Sequence, residues 1–123
     1  MAKRILVIDD DPTLLKLAQG VLHSNGFDVI ASADAPNGLE TAMKQKPDLI
    51  VLDVMMPIIN GFNICRLMKS QKALKHIPII LLTSRSTKAD QDIGTEVGAD
   101  AYLSKPFKTE EFLDKIRELL KIT

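Results

Sequence analysis

Four short apolar runs in this chain each lead into a polar residue that could handle a phosphoryl group. Asp9 and Asp10 follow the first run, Asp53 the second, Thr83 the third and Lys105 the fourth. Clustered carboxylates can hold a cation, and a hydroxyl and an ammonium group can bind the oxygens of a phosphoryl group. If the four ends meet in space, they form a metal-assisted phosphoryl acceptor.

The three aspartates predict a divalent cation. Asp9, Asp10 and Asp53 would repel one another in a poorly solvated cleft, which is costly unless a cation neutralises them. All the candidate ligands are oxygens, and neither His23 nor His76 follows one of the four runs. This set of donors favours Mg²⁺ over zinc or copper.

Each of these polar residues also has a purely structural interpretation. Asp11 precedes Pro12, which is typical of an N-cap followed by proline at the first helical position, and we assign Asp11 to that role. Asp53 could be only a turn residue after a strand, Thr83 only a hydroxyl at a strand end, and Lys105 only a solvated lysine. Their convergence at four strand ends favours a functional site.

The elements that must position these residues are five βα units. Apolar runs rich in β-branched residues begin near residues 5, 28, 49, 78 and 101, and segments of helical periodicity separate them. Consecutive apolar positions indicate strands buried on both faces, and strands that alternate with helices run parallel. The sequence therefore predicts an α/β fold, a doubly wound five-stranded parallel sheet with helices on both faces. We adopt the flavodoxin-like strand order 2-1-3-4-5, which brings the four polar ends to one edge.

Apolar residues at helical spacing predict the faces with which the helices cover the sheet. These residues are Leu14, Leu17, Ala18, Val21 and Leu22 in the first helix, Leu39, Ala42 and Met43 in the second, Ile64, Leu67 and Met68 in the third, and Phe112, Ile116, Leu119 and Leu120 in the last. The fourth helical segment, Thr87 to Val97, has few large apolar anchors, mainly Ile93 and Val97. We expect it to be the most weakly tethered helix.

Size and composition exclude several classes of protein. The 123 residues fit one domain, which we expect to span 1–123. Lys and Arg total 16, as do Asp and Glu, so the chain has no global charge with which to bind nucleic acid or a membrane surface. The single cysteine, Cys65, excludes an intrachain disulfide, and we expect it to be half-buried in a helix. The apolar stretches are too short for a signal peptide or a membrane span, so we expect a cytoplasmic protein.

Over its full length the chain resembles the receiver domains of two-component response regulators, such as the chemotaxis regulators. The matching segments are Ile5 to Asp10, Leu49 to Asp53 followed by Met56-Pro57 and Gly61, Ile80 to Ser84, and Tyr102 to Phe107. Four motifs in this order and spacing form a specific signal. Asn60 departs from the family, which often has Asp before the glycine. An Asn-Gly pair can form a hairpin, but the periodicity that follows favours a loop entering a helix.

The resemblance implies that Asp53 accepts a phosphoryl group from a partner histidine kinase or phosphotransfer protein. It also implies that Asp10, Asp53 and the backbone carbonyl of Met55 hold Mg²⁺, with Asp9 assisting through water. Met55 and Arg85 occupy positions that vary in the family and bear on the lifetime of the phosphoryl group. That lifetime does not follow from the sequence.

The resemblance further assigns Thr83 and Lys105 to the phosphoryl oxygens. Ser84 would be a small residue that leaves room for Thr83 to move, and Tyr102 would change rotamer on activation. The Lys105-Pro106 peptide bond is cis in the family.

We therefore expect a phosphoacceptor regulator and not an enzyme, with no chemistry beyond its own phosphorylation and dephosphorylation. The added charge would rearrange the loops after the fourth and fifth strands. The fourth helix, the fifth strand and the last helix would then form the face that binds a downstream effector protein or a second copy of the chain. We expect no direct contact with nucleic acid or membrane. The sequence leaves open whether the chain acts alone or within a longer regulator.

Two other functions use a similar sheet edge. A metal-dependent aspartate-nucleophile phosphatase needs a second aspartate two places after the first, where this chain has Met55, and it needs a cap domain. A flavin-binding electron carrier needs a loop that cradles phosphate after the first strand. Here the run from Asp9 to Asp11 would repel a phosphate unless a cation intervened.

Overall fold

The computed structural model describes residues 2–56, 59–84 and 87–122, so Arg85 lies outside the described residues, as does Pro57. Within these ranges five strands alternate with five helices: β1 (Arg4–Ile8), α1 (Pro12–Ser24), β2 (Asp28–Ser32), α2 (Ala35–Gln45), β3 (Leu49–Asp53), α3 (Gly61–Ser70), β4 (Ile79–Thr83), α4 (Lys88–Glu96), β5 (Ala101–Ser104) and α5 (Thr109–Leu120). The strands pair in parallel in the order β2-β1-β3-β4-β5. The predicted fold class and strand order are confirmed.

The register of the sheet brings the carboxyl ends of its strands to one edge. Ile8 of β1 pairs with Leu52 of β3, so Asp9 and Asp53 both come one residue later. Thr83 of β4 pairs with Ser104 of β5, directly before Lys105. This edge, the carboxyl edge, therefore receives all the polar ends that the sequence singled out.

The core has two halves, one on each face of the sheet. Alternate residues of a strand face opposite sides, so Ile5 and Val7 pack with α1 and α5, whereas Leu6 and Ile8 pack with α2 and α3. Both β3 and β4 are buried along their whole length because helices cover each face. The sheet is thus a rigid base for the carboxyl edge.

The predicted apolar faces of the helices are right in position, but they include residues that the sheet does not cover. Leu17 is 55% exposed, Met43 40% and Leu67 39%, although all three were expected to face the sheet. Each lies at the flank of its helix's apolar stripe. Side chains there point along the surface of the sheet and stay partly exposed. Leu15, which the spacing did not include, enters the core in α1 instead. Cys65 is fully buried, not half-buried as predicted.

Helix α4 is the least anchored by apolar burial, in agreement with the sequence. Its buried residues are Asp90 and Gly94. Val97 is buried at its C-terminal end, but Ile93 is 38% exposed and does not serve as the predicted anchor. Because its buried residues are an aspartate and a glycine, α4 has little apolar surface to hold it in place.

Two helix starts follow the local sequence. Asp11 caps α1, with its Oδ1 accepting the N–H of Thr13 at 2.9 Å, and Pro12 is the first helical residue. Asn60 caps α3 by accepting the N–H of Asn63 at 3.0 Å. The Asn-Gly pair therefore opens a helix, and the hairpin alternative is wrong. Among the described residues, no helix combines the length and the apolarity that crossing a membrane requires.

Candidate functional site

Lys105 joins the carboxyl ends of distant strands. Its Nζ donates to Asp9 Oδ2 at 2.8 Å and to Asp53 Oδ1 at 3.1 Å. Both carboxylates are buried, Asp9 at 1% and Asp53 at 2% exposure. The backbone N–H of Lys105 donates to the carbonyl oxygen of Thr83 at 2.7 Å. The structure therefore brings Asp9, Asp53, Thr83 and Lys105 together at the carboxyl edge, and the Lys105-Pro106 bond is cis as the resemblance implies.

The ionised form of the Asp53 carboxyl is electrostatically unfavourable in this position. Burial is the largest effect and, with the negative charge of Asp9, raises the pKa of Asp53 from an ordinary 3.8 to about 6. The charge and hydrogen bond of Lys105 and the N–H of Met55, which donates to Oδ1 at 3.3 Å, only partly offset this rise. The fold therefore holds a destabilised negative charge at the carboxyl edge, which a bound cation would stabilise.

The same surroundings favour the charged form of Lys105. Burial by itself lowers the pKa of Lys105, but the hydrogen bonds and negative charges of Asp9 and Asp53 outweigh that effect and raise the pKa above its ordinary value. The lysine is therefore charged at neutral pH. A single ammonium group stabilises two buried carboxylates.

The acidic residues at this edge form a set of oxygen donors. One carboxylate oxygen from each of Asp9, Asp10 and Asp53 lies within 4.8 Å of the other two. Asp10 is exposed, so the cluster opens to solvent. Three carboxylates against one lysine leave a net negative charge, and these donors fit a hard divalent ion of the Mg²⁺ type. Met55, whose carbonyl the resemblance assigns to the metal, lies beside them and is 49% exposed.

Gly61 lets the loop after β3 pack against the backbone of Asp53. A Cβ at Gly61 would collide with the carbonyl oxygen of Asp53 and would lie 2.7 Å from the Cα of Val54. The N–H of Gly61 also donates to the Val54 carbonyl at 2.8 Å. A side chain here would therefore displace the segment that carries the central carboxylate.

The two predicted switch residues lie on β4 and β5. Thr83 is fully buried at the end of β4, and Tyr102 is half-buried on β5. The Tyr102 ring lies against α4 where Gly94 faces it, because a Cβ at Gly94 would be 3.0 Å from Tyr102 Cδ2. Ser84, the small residue after Thr83, is exposed.

Sequence reasoning missed two features of this site. It did not predict the contact between Lys105 and Asp9, since β5 and β1 are separated by two strands in the sheet. It also did not predict that Gly94 of α4 faces Tyr102. No spacing signal points to the first contact, whereas a small residue within a helix is a signal for the second.

Comparison with known proteins identifies the family. The model of the response regulator receiver domain matches residues 5–117. The alkaline phosphatase synthesis transcriptional regulatory protein PhoP of Bacillus subtilis is 40% identical over 121 residues, which are 98% of this chain and 50% of that protein. RpaA of Synechocystis, named a DNA-binding dual master transcriptional regulator, is 40% identical over 98% of this chain and 50% of its own length. The chain thus spans about half the length of these curated relatives.

Solved structures show the same fold over nearly the whole chain. The chemotaxis protein CheY4 of Vibrio cholerae has a TM-score of 0.92 at 29% identity, covering 97% of this chain and 99% of that one. The receiver domain of a sensor histidine kinase from Pseudomonas aeruginosa, which has a magnesium ion coordinated in its active site cleft, has a TM-score of 0.90 at 27% identity and covers 98% of this chain and 99% of that one. With its acidic cluster and lysine at the carboxyl edge, this chain belongs to the response regulator receiver domain family.

Proposed function

We propose that Asp53 takes a phosphoryl group from a phosphohistidine on a partner histidine kinase or phosphotransfer protein. The observation that carries this proposal is the state of the Asp53 carboxylate. Its Oδ1 accepts from Lys105 and from the backbone of Met55, whereas Oδ2 has no hydrogen bond to any described residue. The carboxylate is held in place by one oxygen while the other is free to react.

The transfer is a displacement at phosphorus. Asp53 Oδ2 forms a bond to phosphorus while the bond between phosphorus and the donor imidazole nitrogen breaks, and that nitrogen keeps the electron pair. With a pKa of about 6, most of the Asp53 carboxyl is ionised at pH 7. The nucleophile is therefore present in its reactive form.

Lys105 and Thr83 are the groups that bind the transferred phosphoryl oxygens. Lys105 Nζ lies 3.1 Å from the oxygen of Asp53 that does not react, so it is within reach of a group attached to the other oxygen. Thr83 lies at the end of the neighbouring strand and supplies a hydroxyl. An ammonium group and a hydroxyl reduce the charge that accumulates on these oxygens.

Asp10, Asp53 and the backbone carbonyl of Met55 are the proposed ligands of Mg²⁺, with Asp9 assisting through water. The excess of negative charge at the acidic cluster supports this assignment. Bound Mg²⁺ would neutralise charge on the cluster and on the phosphoryl oxygens. The chain's own residues orient Asp53 and exclude solvent from most of its carboxylate.

Phosphorylation then acts on α4. The modification adds about −1.5 to −2 charges at pH 7, which draws Lys105 and Thr83 toward Asp53. Helix α4 is held by little apolar surface and rests on Tyr102. We propose that Thr83 and Tyr102 are the switch residues, and that α4, β5 and α5 form the face that binds a downstream effector protein or a second copy of the chain.

Four further expectations stay predictions. They are that residues 1–123 form one domain, that the chain is a regulator and not an enzyme, that it is cytoplasmic, and that it makes no direct contact with nucleic acid or membrane. The predictions on localisation and on nucleic acid or membrane concern the cellular environment in which the site works. The prediction of no contact with nucleic acid needs its own test, because relatives of about twice the matched length are named as transcriptional regulators.

Intact-mass measurement tests the acceptor. Incubation with a small-molecule phosphodonor and Mg²⁺ is expected to add one phosphoryl mass to the wild-type chain and none to Asp53→Ala, because the reacting oxygen is gone. Asp114→Ala is the matched control, since Asp114 is 80% exposed on α5 and is expected to leave labelling unchanged. Hydrogen exchange on the labelled protein is expected to increase across residues 87–97.

Undiminished labelling of Asp53→Ala, or full labelling in excess EDTA, would overturn the assignment of the acceptor or of the metal. Steady hydrolysis of a phosphomonoester would instead support the aspartate-nucleophile phosphatase. Unchanged exchange across residues 87–97 after stoichiometric labelling would overturn the role of α4 without affecting the role of Asp53.

A further inference from the structure

The chain is neutral overall, but its charges are unevenly distributed. Between Asp53 and Asp90 the sequence holds six Lys and Arg residues and no Asp or Glu. The remainder of the chain is correspondingly acidic. A basic segment within a neutral protein creates a local positive field that attracts an acidic partner.

Three of these cations lie exposed on α3 and on the turn that follows it. They are Arg66, Lys72 and Lys75, and none of them forms an ion pair with a residue that the structure describes. Lys69 differs, because its side chain is only 16% exposed and its Nζ donates to Asp100 Oδ2 at 2.9 Å. Among the described residues of this segment, the cations without an ion pair are therefore Arg66 on α3 and the two lysines of its turn.

Arg66 also lines an apolar groove on the exposed side of α3. The groove is shallow, with a volume of about 450 Å³, and its lining residues are Ile59, Asn63, Arg66, Leu67 and Ser70. Leu67 was predicted to face the sheet but is 39% exposed here. Ile59, Asn63 and Leu67 are spaced four residues apart, so they lie along one face of the helix and its N-terminal entry. We call this groove, together with Arg66, Lys72 and Lys75, the α3 surface.

The turn that carries two of these lysines is held in a defined shape. The N–H of Leu74 donates to the carbonyl of Gln71 at 3.0 Å, and the N–H of Ile77 donates to the carbonyl of Leu74 at 2.9 Å. The Leu74 side chain is fully buried, and Lys69 Nζ donates to the Ile77 carbonyl at 2.8 Å. Because the turn is ordered before any partner arrives, a partner does not have to order it on binding.

We propose that the α3 surface docks an acidic amphipathic helix of a protein partner. Apolar residues of that helix would fill the groove at Leu67, and carboxylates on its flanks would meet Arg66, Lys72 and Lys75. In a second copy of this chain, the apolar residues Phe112 and Ile116 of the acidic helix α5 are buried in its own core, so α5 is not free to fill the groove. The proposal is independent of phosphorylation at Asp53.

A designed peptide tests this proposal on the whole chain. The probe is a fluorescent helical peptide of about 18 residues, or five turns, with leucines along one face and glutamates beside them. Triple charge reversal by Arg66→Glu, Lys72→Glu and Lys75→Glu is expected to weaken binding at least about tenfold in anisotropy titrations. The control is the triple reversal Lys3→Glu, Lys16→Glu and Lys108→Glu, which makes the same change in net charge at exposed lysines elsewhere and is expected to change binding less than about twofold.

A second variant separates the groove from the charges. Leu67→Gln leaves every charge in place and is expected to weaken peptide binding about threefold or more, because part of an apolar contact is lost. A scrambled peptide of the same composition, in which the leucines no longer share a face, is expected to bind more weakly than the probe. Circular dichroism checks that each variant keeps the wild-type fold. Asp53→Ala is expected to bind the probe as the wild type does.

Several results would overturn the proposal. Equal losses in the two triple variants, or equal binding of the scrambled peptide, would reduce the effect to non-specific charge attraction. Tighter binding of mixed-sequence duplex DNA than of the peptide, lost on reversing Arg66, Lys72 and Lys75, would assign the surface to nucleic acid. Self-association in sedimentation that the same reversal abolishes would assign it to a second copy of the chain.

Discussion

Two lysine-aspartate contacts lie at opposite edges of the sheet, and they differ in stoichiometry. At the carboxyl edge, Lys105 contacts two buried carboxylates, Asp9 and Asp53. At the opposite edge, Lys69 contacts the single carboxylate of Asp100, which also accepts the N–H of Ile79 at 2.9 Å. The Asp100 side chain is 37% exposed and the Asp53 side chain 3%. The same residue types therefore meet under different conditions of charge and solvation.

The difference shows how a fold separates a structural clamp from the proposed acceptor site. Lys69 ties the end of α3 to the start of β4 and to the loop before β5, with one positive charge for one negative charge. At the carboxyl edge the carboxylates outnumber the lysine, and burial raises the pKa of Asp53 to about 6. Only the second arrangement leaves a net negative charge that a bound cation could neutralise.

The largest expected effect is a change of opposite sign for the same substitution at the two edges. Asp53→Asn is expected to raise the free energy of unfolding by about 3 kcal/mol at pH 7 in EDTA, because it removes a buried charge whose pKa is raised to about 6. Asp100→Asn is expected to lower it by about 1 kcal/mol, since a charged hydrogen bond is lost. Urea unfolding of both variants measures the two changes.

The pH dependence of the wild type gives an independent check. The Asp53 carboxyl loses its proton near pH 3.8 when unfolded and near pH 6 when folded, so the folded state binds more protons between these values. The contribution of Asp53 to stability therefore falls as the pH rises from about 4 to about 6, and Asp53→Asn should lack this fall. An Asp53→Asn variant that is less stable than the wild type at pH 7 would contradict the raised pKa of Asp53.

A smaller effect is expected from removing the lysine of the structural clamp. Lys69→Met is expected to lower the free energy of unfolding by about 2 kcal/mol, because the carbonyl of Ile77 and the carboxylate of Asp100 lose their shared donor. Labelling of Asp53 by a phosphodonor should continue at the wild-type rate, which mass spectrometry under native conditions would follow. Lys105→Met is the matched comparison and is expected to slow that labelling. Loss of labelling in a folded Lys69→Met variant would show that the two edges are coupled.

The effect of Mg²⁺ on stability is expected to be smaller than that of Lys69→Met. At ten times its dissociation constant, Mg²⁺ is expected to raise the free energy of unfolding of the wild type by about 1.4 kcal/mol. Lys69→Met should show the same gain, whereas Asp10→Asn and Asp53→Asn should show less, because each removes a proposed ligand. Thermal unfolding in Mg²⁺, with sodium chloride of equal ionic strength as the control, measures these gains. An undiminished gain in the variant with both aspartates changed would place the ion elsewhere.

The predictions from sequence succeeded where the physical cause is local or repetitive. The polar ends of parallel strands share one edge of a sheet, which is why Asp53, Thr83 and Lys105 could be grouped from their positions along the chain. The cap at Asp11 follows from two adjacent residues. Helical periodicity locates a helix but does not set the width of its buried face, and so Leu17 and Leu67 were placed in the core wrongly.

The sequence by itself determined the elements, their parallel arrangement and the residue types that reach the carboxyl edge, because these depend on periodicity and chain connectivity. Only the tertiary structure decided that Lys105 contacts Asp9, 96 residues away, as well as Asp53. It also decided that the Asp53 carboxyl is buried with a raised pKa and that Arg66, Lys72 and Lys75 form no ion pair with a described residue. Burial and electrostatic pairing depend on distances between residues far apart in the chain, which no local pattern records.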